Sequence, residues 1–132
     1  MKKITLILLL SLLLLPLFSF AKDEKDGKVT FTEKSHDFGN IKEANGKVHY
    51  DFTFTNTGEK PVVILNALTT CGCTKADYPK HPIKPSETGV ISVTFNPRDY
   101  AGEFLKVITV RTPNQRIKLK ISGVVIPKNI QE

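Results

Sequence analysis

The 132-residue chain has no tryptophan, two cysteines and, beyond Met1, no methionine. Two cysteines are too few for a disulfide-stapled miniature fold. Set one glycine apart, as Cys71-Gly72-Cys73, they also cannot tie one sheet to another. After residue 21 no apolar run approaches the roughly 18 to 20 residues that cross a bilayer, which excludes a polytopic membrane protein. Leucine falls to four from Lys22 onward and alanine is scarce, whereas valine, isoleucine and threonine together supply 31 residues. That choice suits pleated strands and neglects helix propensity. No stretch of ten or more residues carries a 3.6-residue apolar stripe, and there is no internal repeat. The length beyond the head fits one ordinary domain and leaves no room for a large cofactor fold.

The head differs from everything after it. Met1-Lys2-Lys3 is positive, Ile4 to Phe18 is apolar with breaks at Thr5, Ser11 and Pro16, and Ser19-Phe20-Ala21 sets small residues where a signal peptidase reads. This pattern predicts a secretory signal peptide over residues 1–21, cleaved after Ala21. An uncleaved anchor is the competing reading, but the run only just reaches spanning length and Pro16 interrupts it. The expected product is exported, periplasmic or secreted, and touches a membrane only through an uncleaved signal peptide. Residues 22–28 read as a charged, solvated leader. The formal charge is +6 overall, or +4 once the two lysines of the head are set aside. The lysines form no block or aromatic-interleaved stripe, so nucleic acid is not an expected partner. An envelope protein or polymer is.

Turn signals at short intervals separate alternating segments. Val48, Tyr50, Phe52 and Phe54 share one face of a clear strand; Ile91, Val93 and Phe95 share another; Phe104, Ile108 and Val110, then Ile117, Leu119 and Ile121, repeat the theme. Gly39 is placed to bulge an early strand, and the run Val62 to Leu68 reads as a strand buried on both sides or at a sheet centre. About seven strands in some 100 residues predict an all-β, immunoglobulin-like antiparallel β-sandwich over residues 29–127, with a tail at 128–132. An eight-stranded sandwich or a small barrel is the alternative.

Alternation stops between Leu68 and Gly89, where both cysteines and three closely spaced prolines fall. Thr69-Thr70-Cys71-Gly72-Cys73-Thr74, then Pro85-Ser86-Glu87-Thr88-Gly89, Val93-Thr94-Phe95-Asn96-Pro97 and Gly102-Glu103-Phe104 follow in order, after His36-Asp37-Phe38-Gly39 and Phe54-Thr55-Asn56-Thr57-Gly58. In these segments the chain resembles the bacterial exported family catalogued as domain of unknown function 1573. The resemblance implies a β-sandwich related to abnormal-spindle/hydin-type and pilus-chaperone modules, with no assigned activity.

The cysteine loop is read in four ways. A Cys71–Cys73 disulfide needs the chain to turn at Gly72, the residue that turns most cheaply, and closes too small a loop to add much stability. Two thiolates can instead grip a soft ion, Cu(I) or Zn(II), with His81 as a third ligand. A thiol-redox role gains from Lys75, Lys80 and His81, which favour thiolate, although Cys-x-Cys is a weaker redox signal than Cys-x-x-Cys. Last, the cysteines serve as small apolar residues tucked against the sandwich. A cysteine-protease arrangement with His81 and Asp77 would crowd one loop without a scaffold, so no catalytic residues and no cofactor are expected. The reading is an exported, non-enzymatic binding or structural module of the cell envelope, the alternative a thiol-dependent soft-metal or redox protein.

Overall fold

This is a computed structural model, and it describes residues 26–130. The expected signal peptide and most of the charged leader lie outside these residues. The described residues form eight strands: β1 Val29–Phe31, β2 Ser35–Lys42, β3 Val48–Asn56, β4 Asn66–Thr69, β5 Thr74–Asp77, β6 Thr88–Phe95, β7 Gly102–Arg111 and β8 Arg116–Ile126. No α-helix occurs among the described residues. The strands build two four-stranded sheets, a first of order β1-β3-β6-β5 and a second of order β2-β8-β7-β4. The architecture is therefore a two-sheet sandwich and not a barrel.

One pairing departs from the expected antiparallel pattern. β2 runs parallel to β8, with Ser35 opposite Lys120 and Lys42 opposite Ile126. The reason lies in the short link after β1, which carries the chain from the first sheet into the second without a hairpin reversal. The bulge expected at Gly39 is present: the register shifts between Asp37 and Asn40, Gly39 has φ +66°, and its N–H donates to Asp37 Oδ1 at 2.8 Å.

The inward residues of the alternating strands fill the space between the sheets. Phe52, Phe54, Ile91, Val93, Phe95, Ile108, Val110, Leu119 and Ile121 are buried as their period-2 spacing predicts. Val48, Tyr50 and Ile117 only half enter, at the margin of the core. Phe95 and Phe104 stack across the two sheets, ring centroids 4.1 Å apart, and each such side chain contributes about 1.5 to 3 kcal/mol by burial.

Two expectations for the middle of the chain are corrected. Residues 62–65 are not a central strand; Val62 makes an isolated bridge to Ile83, Val62 and Ile64 are buried, and Val63 and Leu65 face solvent. A continuous apolar run here covers one side of the core at the sandwich rim, and the strand that follows, β4, is an edge. Conversely, residues 74–77 were expected in a loop yet form β5, the edge of the first sheet, paired with β6 from Thr74 opposite Phe95 to Asp77 opposite Ser92.

The far end of β3 is closed by a buried amide. Asn56 Oδ1 accepts from the N–H groups of Lys28 (3.1 Å) and Gly58 (2.9 Å), while Nδ2 donates to the carbonyls of Lys60 (2.8 Å) and Ile83 (2.9 Å). Three separated segments thus hang on one side chain. A Cβ at Gly58 would strike backbone atoms of residues 26–28, so the glycine is there to let that segment approach. Gly27 is buried accordingly, while its neighbours Asp26 and Lys28 are exposed.

Candidate functional site

The chain passes from the edge of one sheet to the edge of the other at Thr70 to Cys73, between β4 and β5. Leaving an edge without joining a hairpin demands a tight reversal, and the sequence supplies it with small polar residues. Thr74 N–H donates to the Cys71 carbonyl at 3.1 Å, closing a turn with Gly72 and Cys73 at its centre. The Thr69 hydroxyl reaches the Thr74 carbonyl at 3.0 Å, and Asn96 N–H reaches the Cys73 carbonyl at 2.8 Å. Backbone and threonine hydrogen bonds thus hold the shape of the turn together with the cysteine pair.

Within it Cys71 and Cys73 form a close pair, their sulfurs at bonding distance and their Cα atoms 5.2 Å apart, inside the roughly 4.4 to 6.8 Å that a bridge spans. Both are half-buried; Cys73 touches the core, and Cys73 N–H also donates to Cys71 Sγ at 3.2 Å. Gly72 sits at the turn as expected, but for another reason. Its φ is not positive, and a Cβ there would meet nothing within 4 Å. Neither backbone strain nor crowding calls for glycine. Its effect is to keep the outer side of the turn free of a side chain.

The residues expected to assist the cysteines divide. His81 lies elsewhere, its Nε2 3.6 Å from Glu87 Oε1, and no group of three or more His, Cys, Asp or Glu side chains placed to hold a metal occurs among the described residues. The three-ligand arrangement with His81 is thus not assembled. Lys80 caps the Tyr78 ring at 3.3 Å. Lys75 does stand beside Cys73, lining a shallow depression with Gly72, Thr94 and Asn96, and pairs with Asp77 at 3.4 Å. Lys47 lines the same depression and was not anticipated. Its approach depends on β5 lying beside β6, and Thr74-Lys75-Ala76-Asp77 is too short and polar to announce a strand.

Nearby, Glu43 braces the same end of the sandwich. Its Oε1 accepts from Asp99 N–H and its Oε2 from Lys128 N–H, each at 3.0 Å. These backbone donors, Asp99 first, hold its carboxyl below the ordinary value. At the margin of the core the Tyr50 hydroxyl donates to Glu33 Oε2 at 2.9 Å, and that bond pushes the phenol pKa upward. His36 stacks on the Tyr50 ring at 3.7 Å, half-buried, while His49 stays on the exposed polar face.

Two sheets of four strands joined at their edges by this cysteine turn define a β-sandwich class of protein. The chain belongs to the family described as protein of unknown function (DUF1573), whose model matches residues 29–125. A protein of unknown function from Porphyromonas gingivalis W83 is similar in fold, with a TM-score of 0.67 at 13% identity over 81% of this chain and 50% of that one. The Vibrio cholerae VesB protease is similar with a TM-score of 0.57 at 13% identity, over 73% of this chain and 31% of the protease. A Bacteroides ovatus GH5 xyloglucanase gives 0.51 at 9% identity, over 75% and 19%. The chain spans half or less of each, and likeness at such identities concerns the fold alone. No curated protein matches the chain.

Proposed function

We propose that this protein is an exported, non-enzymatic binding module of the cell envelope whose contact element is the Cys71-Gly72-Cys73 turn. One observation carries the reading: hydrogen bonds of Thr69, Thr74 and Asn96 hold the turn alongside the sulfur pair, and Gly72 keeps its outer side free of a side chain. A bridge between neighbours two residues apart adds little to the fold, so its use lies outside the fold. The test is cross-linking in the native host. A photo-reactive residue replacing Gly72, where a side chain meets nothing, gives a discrete adduct, and the same residue replacing Thr53 on the outer face of β3 gives none. Failure at Gly72 removes the turn as a contact element.

The second reading is dithiol–disulfide exchange, favoured by Lys47 and Lys75 beside Cys73, since their charge stabilises a thiolate. In it an external dithiol passes two electrons and two protons to the bridged pair and is itself oxidised to a disulfide. Thiol counting on protein from its host, before and after reductant and with metal analysis alongside, separates the cases. A bridge that small dithiols open readily supports exchange. Two free thiols and a stoichiometric soft metal, copper or zinc, lost in Cys73→Ser, would instead revive metal binding without His81.

A further inference from the structure

The hairpin of β7 and β8 sets the cations of residues 111–120 on one face. Arg111 lies directly opposite Arg116, Thr109 opposite Lys118, and Val107 opposite Lys120. Along β8 the cations recur every second residue, about 6.6 Å apart on one face. Lys34, whose carbonyl accepts from Lys120 N–H at 2.8 Å, adds a fifth at the start of β2. Like charges directly opposite each other destabilise a sheet, so the fold gains nothing from this arrangement.

Nor do carboxylates neutralise it. The ion pairs Lys60–Asp26, Lys75–Asp77 and His81–Glu87 involve none of these five residues, and among the described residues none of the five has a carboxylate within ion-pair distance. Two acids share this face by register, Asp37 opposite Ser122 and engaged by Gly39 N–H, and Glu103 opposite Val124; both lie beyond Lys120, on the side away from Arg111, Arg116 and Lys118. The outer face of the first sheet has another character. There Asp51 and Asp77 flank Ser92, Lys75 opposite Thr94 is paired with Asp77, and His49, Thr53 and Thr55 lie along β3.

The groove beside β8 is also built to receive an anion. β2 begins at Ser35, opposite Lys120, so residues 116–119 of β8 have no strand on that side. Lys34, Ser35, Arg116, Lys118 and Lys120 line the open ledge. The alternation that turns the Lys120 N–H toward Lys34 turns the Lys118 N–H into this ledge, where no strand accepts it.

The same face carries exposed leucines. Leu105, opposite Ser122, is 62% exposed, and Leu68 on β4, opposite Thr109, is 52% exposed, with Val107 between them and the β8 cations. A soluble polyanion has no use for bare leucines, whereas a bilayer offers phosphates and acyl chains side by side. We infer that the outer face of the β2-β8-β7-β4 sheet is the surface by which this protein rests on an anionic lipid bilayer. Arg111, Arg116, Lys118, Lys120 and Lys34 meet the headgroup phosphates. Leu105 and Leu68 reach the acyl boundary.

Vesicle co-sedimentation tests this, using protein recovered from its host with its amino terminus fixed by intact mass. Vesicles of phosphatidylcholine alone are compared with an equal mixture of phosphatidylcholine and phosphatidylglycerol. Binding is expected on the mixture alone and weakens with salt. Each cation near an anionic surface is worth about fivefold in partitioning, so Lys118→Gln/Lys120→Gln binds roughly 25-fold more weakly. The control Lys28→Gln/Lys84→Gln, equally altered in net charge but placed off this face, binds as the unaltered chain does. Leu105→Ser/Leu68→Ser binds more weakly than the unaltered chain on the same vesicles. Circular dichroism confirms that each variant is folded before it is compared. Equal binding to both vesicle types, or equal losses in the lysine pair and its control, would overturn the inference. Unchanged binding by the leucine variant would assign the face to a soluble polyanion and also overturn it.

Discussion

Two turns, one at each end of the first sheet, are of opposite design. At one end Asn56 is wholly buried and makes four side-chain hydrogen bonds that tie residues 28, 58, 60 and 83 together. At the other the Cys71–Cys73 turn lies at the surface, bonded mainly by its own backbone and two threonines. The difference teaches that one turn satisfies buried polar groups on which the fold depends, while the other meets no such need.

The comparison breaks first at Asn56. Asn56→Ala strands two N–H groups and two carbonyls, and a denaturant titration should show a loss of about 3 kcal/mol or more. A loss under about 1 kcal/mol would mean that water replaces the amide and the corner is not a keystone. Gly58→Ala should cost about 1 to 3 kcal/mol, since the added methyl strikes backbone atoms of residues 26–28 that cannot swing aside. At the other end Cys71→Ser/Cys73→Ser should cost less than about 1.5 kcal/mol, the ceiling for so short a closed loop. Gly72→Ala should stay within about 0.5 kcal/mol, the range of surface changes. If Gly72→Ala proved as costly as Gly58→Ala, the two turns would have to be read alike.

The smallest effect concerns acid. Because backbone donors depress the Glu43 pKa in the folded protein, its contribution is present above the unfolded value near 4.5 and is lost as pH falls through the lower folded value. The amide of Asn56 does not titrate. Acid should therefore loosen the segments around Asp99 and Lys128 while leaving the Asn56 corner intact. Amide hydrogen exchange below pH 4.5 can compare the two ends, and Glu43→Gln should flatten the acid limb of the stability curve.

The strands read from alternation were those whose two faces differ. Residues 48–55, 89–95 and 116–122 each place large apolar groups at every second position, and all three lie where they were expected. β5 escaped notice because an edge strand of four residues buries little, and Thr74-Lys75-Ala76-Asp77 carries no apolar period. The run at 62–65 misled for the converse reason, since apolar continuity reports burial and not pairing. Cys71 and Cys73 were visible as a candidate pair from spacing alone, and so was the chance of a turn at Gly72. Lys47 and the separation of His81 were not visible, because both depend on which strand neighbours which.

The sequence by itself determined the all-β class, the inward faces of the long strands, the glycine bulge in β2 and the closeness of the two cysteines. Each follows from residues within a few positions of one another, where side-chain size and backbone freedom act directly. Tertiary structure decided the parallel β2–β8 pairing, the role of Asn56, the approach of Lys47 to Cys73 and the placing of Lys34 beside the β8 cations. These depend on register between segments distant along the chain, and register is set by burying both sheets against one core rather than by any local preference.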